Sequence, residues 1–86
     1  MQLIIISPES TIYKGNVNSV TVPGKKGLLT VLNNHAPIIS TLSNGKVVYV
    51  IKEGEENKIE IESGLIEVKN NKITICVESI VNEQKK

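Results

Sequence analysis

Along much of this chain, hydrophobic and polar positions alternate with a period of two. Lys58-Ile59-Glu60-Ile61-Glu62 alternates without a break and predicts a strand with one buried and one wet face. Lys72-Ile73-Thr74-Ile75-Cys76-Val77-Glu78 reads the same way, with Ile73, Ile75 and Val77 turned inward. Two other runs, Leu3-Ile4-Ile5-Ile6 and Val47-Val48-Tyr49-Val50-Ile51, are apolar at both parities. They predict burial from two sides, and the outer face of a sandwich buried in that way implies a covering partner. In Asn16-Val17-Asn18-Ser19-Val20-Thr21-Val22 the parity breaks between Val17 and Val20, which predicts a β-bulge near Ser19.

Turn residues punctuate these runs at Pro8, Gly15, Pro23-Gly24, Asn33-Asn34, Asn44-Gly45, Gly54, Gly64 and Asn70-Asn71. A breaker roughly every 7–11 residues is the spacing of an all-β sandwich or barrel. Asn44-Gly45 and Asn70-Asn71 both predict two-residue hairpin turns, since Asn and Gly tolerate positive φ. One strand is expected to end in the Pro23-Gly24 turn and the next to begin at Gly27. Gly54-Glu55-Glu56-Asn57 reads as a solvated hairpin tip, and Pro37 holds Ala36 extended. The expected organisation is one β-sandwich domain over residues 1–81 and a polar, frayed tail over 82–86.

Composition sharpens this reading. The chain has 86 residues, enough for a single domain with a small core. Ile, Val and Thr supply about a third of it, which favours pleated backbone over helix. There is no Phe, Trp, Arg or Asp, and the formal net charge is +1. Without arginine forks, with only Tyr13 and Tyr49 to stack on bases and with no basic field, the chain argues against nucleic-acid binding. No apolar run approaches the ~20 residues of a membrane helix, and none is long enough for a signal-peptide core. The expectation is a protein that stays in the compartment where it is made.

The candidate chemistry is sparse. Lys25-Lys26 sits between glycines, but lacks the long glycine loop and Lys-Ser/Thr pair of a phosphate-binding loop. His35, the sole histidine, has Ser40 and Ser43 near it in sequence but no Asp anywhere and no Glu between Glu9 and Glu53. A triad therefore lacks its orienting acid, and one His with one distant Cys makes a poor zinc set. His35 is expected to hydrogen-bond locally in its turn, and Cys76 to pack as a small hydrophobe in its strand. No catalytic residue, metal or cofactor is expected.

The order and spacing of several blocks resemble the epsilon subunit of F-type ATP synthases over essentially the whole chain. These blocks are the opening strand with Ser7-Pro8-Glu9, Tyr13-Lys14-Gly15 before Val20-Thr21-Val22, residues 27–37 with Leu42 and Gly45, Ser63-Gly64-Leu65-Ile66-Glu67-Val68, and the strand from Ile73 to Val77. The resemblance implies a sandwich of two antiparallel sheets with about ten short strands. It also implies a non-catalytic place in the rotating central stalk, between the gamma subunit and the ring of c subunits, coupling proton transport to ATP synthesis. By resemblance, Ser7, His35 and Ser40 match positions near gamma, and Lys26, Gly27 and Leu28 match the loop that touches the c ring. The implied location is peripheral, on the cytoplasmic face of a bacterial inner membrane.

Many members continue into a carboxy-terminal helical hairpin that inhibits hydrolysis and in some cases binds ATP. This sequence stops at Lys86, where the hairpin would begin, so neither inhibition nor nucleotide binding is expected. Members often carry Pro-Gly before the histidine, where this chain has Asn33-Asn34. The alternative function is a free-standing β-sandwich module that takes a small ligand or peptide at a sheet edge.

Overall fold

The computed structural model describes residues 1–80, so the tail expected over 82–86 lies outside the described residues. Its elements are all strands: β1 (Gln2–Ile6), β2 (Thr11–Asn16), β3 (Ser19–Gly24), β4 (Gly27–Val31), β5 (Ile38–Leu42), β6 (Gly45–Lys52), β7 (Glu55–Lys69) and β8 (Lys72–Ile80). The all-β expectation holds.

Two layers share β7. One runs β2-β1-β8-β7-β5, and the other runs β4-β3-β6-β7. The amino-terminal part of β7 pairs with β6, from Glu55 to Ile61, and its carboxy-terminal part pairs with β5, from Gly64 to Val68. Every pairing is antiparallel except β1 with β8, which is parallel with Leu3 beside Ile73 and Ile5 beside Ile75.

Alternation places the core between the layers. Leu3 and Ile5 of β1, Val20 and Val22 of β3, Val47 of β6, Ile61 and Ile66 of β7, and Ile73 and Ile75 of β8 are completely buried. Each such side chain contributes about 1.5–3 kcal/mol when removed from water. The inward set expected for β8 is therefore found. In the two doubly apolar runs only Leu3, Ile5 and Val47 are fully buried; Ile4 and Ile6, like Val48 and Val50, are half-buried on the outer faces, and Tyr49 and Ile51 pack partly against the core.

Local expectations fare unevenly. Asn70 and Asn71 take positive φ (51° and 61°) and close β7 onto β8, as their residue type demands. Asn44-Gly45 makes no hairpin, because β5 and β6 are not partners: β5 pairs with β7 and, at Leu42, with Gly24 of β3, while β6 pairs with β3 and β7. The parity break at Val17 is a corner and not a bulge. The Val17 N–H donates to the Met1 carbonyl at 2.9 Å, and the next N–H, from Asn18, to Val50 at 2.7 Å, so the chain changes layers there. The tip between β6 and β7 is Glu53-Gly54, slightly ahead of its expected place, and residues 55–57 already belong to β7.

Gly64, a breaker in the sequence, instead lies inside the fifteen-residue β7. The register against β8 shifts on both sides of Ser63. A Cβ on Gly64 would lie 2.7 Å from the Cys76 carbonyl oxygen. Glycine lets the backbones close up, so the strand bends from one layer into the other without leaving its ladder.

Candidate partner-binding surfaces

The β3–β4 hairpin projects at one end of the sandwich. Gly24 faces Gly27 across Lys25 and Lys26, so the turn falls on the lysines and Pro23-Gly24 remains in the strand. Gly27 has φ of 129°, a conformation that L side chains rarely adopt. Lys26 is exposed, and Leu28, opposite Pro23, is 78% exposed. The hairpin thus brings Lys26, Gly27 and Leu28 together as a projecting tip that, with Lys25, carries one apolar and two cationic side chains.

His35 lies at the opposite end, in the segment between β4 and β5. Its N–H donates to the Leu32 carbonyl at 3.1 Å, and its Nδ1 stands 2.7 Å from the Ala36 carbonyl. That contact requires the proton on Nδ1 and leaves Nε2 as the acceptor of the neutral ring. The expected local hydrogen bonding is present. The preceding Asn34, at φ of 65°, donates its N–H to Asn71 Oδ1 at 2.8 Å, while Asn71 Nδ2 donates to Asn33 Oδ1 at 2.8 Å. The carbonyl of Asn71 also accepts the Gln2 N–H at 3.2 Å.

Ser7 closes a tight turn after β1: its Oγ accepts the Ser10 N–H at 3.2 Å, and its own N–H donates to the Ser10 carbonyl at 2.8 Å. Ser40 shares the inward parity of Ile38 and Leu42 on β5 and is half-buried, with Oγ donating to the Thr41 carbonyl at 3.2 Å. The registers across β1, β8, β7 and β5 set Ser7 and His35 at opposite ends of one layer, with Ser40 between them on its inner side. The structure does not bring these three side chains into one patch.

The outer face of that layer carries an apolar surface that single-strand alternation did not reveal. Ile39 is 69% exposed and Leu65 40% exposed. Pairing sets Thr41, Leu65, Cys76 and Ile6 in one row across four strands, and Ile39, Glu67, Thr74 and Ile4 in the next. Cys76 is exposed on this face and is not packed inside, because Ile75 and Val77 take the inward positions on either side of it. The signal in the sequence was Ile39 and Leu65, each an aliphatic residue standing at the wet parity of its strand.

Beside the hairpin, a surface cleft of about 440 Å³ is lined by Lys25, Thr41, Leu42, Ser63, Gly64, Leu65, Cys76 and Glu78. Ser63 Oγ donates to Glu78 Oε1 at 3.0 Å there. Among the described residues, no three His, Cys, Asp or Glu side chains gather where they would hold a metal ion.

The family model described as the ATP synthase delta/epsilon chain β-sandwich domain matches residues 1–83. The ATP synthase epsilon chain of Leptospira borgpetersenii serovar Hardjo-bovis (strain JB197) is 44% identical over 79 residues, covering 91% of this chain and 61% of that one. The epsilon chain of Chlorobaculum tepidum is 36% identical over 78 residues, covering 91% of this chain and 89% of its own. The chain therefore spans about 61% of the length of its Leptospira relatives and nearly all of the Chlorobaculum one. Among solved structures, a chain of the Tetrahymena thermophila mitochondrial ATP synthase central stalk and c-ring superposes with a TM-score of 0.82 at 14% identity, covering 95% of this chain and 66% of that one. A chain of the Euglena gracilis mitochondrial ATP synthase assembly gives 0.85 at 20% identity, covering 92% and 51%. At such identities the structural likeness speaks for the fold.

Proposed function

Because the chain belongs to the ATP synthase delta/epsilon chain β-sandwich family, we propose that it is a non-catalytic subunit of the central stalk. In this reading it links gamma to the ring of c subunits and couples proton transport to ATP synthesis, at the membrane periphery on the cytoplasmic face of a bacterial inner membrane. The observation that carries the reading beyond family membership is the apolar outer face of β1, β8, β7 and β5. A lone sandwich keeps its outer faces polar, whereas this one exposes Ile39 and Leu65, with half-buried Ile4 and Ile6 across β8 from them.

Gamma would lie along this layer. Ser7 and His35 mark its two ends, so a partner touching both spans its length; Ser40 joins the set by its place on β5 and not by an outward side chain. The β3–β4 tip, with Lys26, Gly27 and Leu28, would then point toward the c ring. The proposed work is mechanical, and a rigid aliphatic core between hydrogen-bonded layers suits it.

Mixing the chain with gamma tests the reading. It should give a one-to-one complex on size exclusion with light scattering. Backbone amides of residues 3–6 and 64–66 should exchange more slowly in the complex than in the free chain. A chain that elutes alone, with exchange unchanged, overturns the stalk assignment.

A further inference from the structure

We propose that Asn71 is a positioning residue that sets the shape of the His35 segment for its partner. The inference rests on the stalk reading for the identity of that partner, gamma, but the clamp itself stands on geometry alone. Residues 32–37 form no strand, and Leu32, Asn33, Asn34, Ala36 and Pro37 are all exposed. Such a segment ordinarily moves freely. Here one side-chain amide from a turn 37 residues away holds it at two points, each 2.8 Å long.

The bonding also fixes the orientation of the amide. Asn71 Oδ1 must accept, because its partner is the Asn34 N–H; Nδ2 is then left to donate to Asn33 Oδ1. At the same residue, the main-chain carbonyl receives the Gln2 N–H. Asn71 therefore ties the β7–β8 turn, the start of β1 and the His35 segment to a single point.

Two features suit Asn to this position. It tolerates the φ of 61° that the turn imposes, and its amide offers a donor and an acceptor at once. The neighbouring Asn70 has φ of 51° and takes part in none of these bonds. With the Asn34 N–H and the Asn33 side chain both held, the His35 ring, itself bonded to Ala36, is presented in one arrangement before the partner arrives. Less ordering then remains to oppose binding.

The test compares Asn71→Gly with Asn70→Gly in the full chain. Both keep a residue that accepts positive φ, and both carry the same glycine entropy penalty, but only the first removes the clamp. In Asn71→Gly the Asn34 amide should exchange at least about tenfold faster than in Asn70→Gly, with exchange at Ile73 and Ile75 equal in the two. Affinity for gamma should fall about five- to thirtyfold, the range for losing one or two hydrogen bonds that pre-order an interface. Asn71→Asp should restore most of both, since its carboxylate still accepts from Asn34 and Asn33 can turn its amide over to donate. Equal Asn34 exchange in the two glycine variants overturns the clamp. Faster exchange with unchanged gamma affinity overturns its positioning role. If the unaltered chain does not bind gamma, the choice of partner falls together with the stalk reading, and the exchange comparison still decides the clamp.

Discussion

The rings of Tyr13 and Tyr49 meet across the two layers with centroids 4.7 Å apart and planes tilted by 41°. Tyr13 comes from β2 and Tyr49 from β6, strands that share no hydrogen bonds, so the pair joins the layers through side chains. Burial, followed by the neighbouring Tyr13 phenol, raises the pKa of Tyr49 above its ordinary 10.0. Its folded form holds the proton more tightly than the unfolded form does. The stability this confers is complete below pH 10.0 and is lost as pH rises through the raised value. Urea unfolding at stepped alkaline pH should show this decline, and Tyr13→Phe should shift the phenolate absorbance titration of Tyr49 back toward the ordinary range.

Gly64→Ala should destabilise the domain by about 1–3 kcal/mol, because the new Cβ meets main chain and not a yielding side chain. Chemical denaturation provides the measurement. Circular dichroism of the variant should remain that of an all-β protein.

The same glycine marks the limit of what the sequence made legible. Alternation placed Ile59, Ile61, Ile73, Ile75 and Val77 on the inner faces, and residue chemistry located the Asn70-Asn71 turn. Both are local matters, decided by Cβ direction and by which residues tolerate positive φ. Gly64 and Asn44-Gly45 looked like strand ends for equally local reasons. Whether a glycine stops a strand or bends it depends on how closely another backbone approaches, and Cys76 is twelve residues away in the chain. The Asn71 clamp was hidden for the same reason: three asparagines at two separate turns reveal no bond until the topology stacks those turns. Of the candidate contacts, the Lys26-Gly27-Leu28 tip was visible because it lies on one hairpin. The Ile39 and Leu65 surface emerges only when four strands are placed in register.

Leu28→Glu should leave folding within about 0.5 kcal/mol of the unaltered chain, as an exposed change at a hairpin tip does. It should nevertheless lower proton-driven ATP synthesis in membranes reconstituted with the variant. Normal coupling at full occupancy would remove the tip from the proposed ring contact and leave the proposed gamma face untouched.

His35→Ala should weaken gamma binding by about 1–2 kcal/mol, the increment of an ordinary interface contact. Titration calorimetry against gamma checks the figure. A loss of several powers of ten in the turnover of the assembled complex, with binding intact, would point instead to proton transfer by the ring.

Because β7 serves both layers, no part of the sandwich is attached by side-chain packing alone. From β4, through β3, β6, β7, β8 and β1, to β2, each strand is laced to the next by main-chain hydrogen bonds. A twisting load applied at the β3–β4 tip and resisted along β1 is therefore carried as shear on rows of inter-strand hydrogen bonds. The close-packed aliphatic core shares that load but does not bear it alone. That route passes from one layer to the other along β7 through the bend at Gly64, so along it both ends of the domain are joined through one strand whose backbone is pressed close to the Cys76 carbonyl.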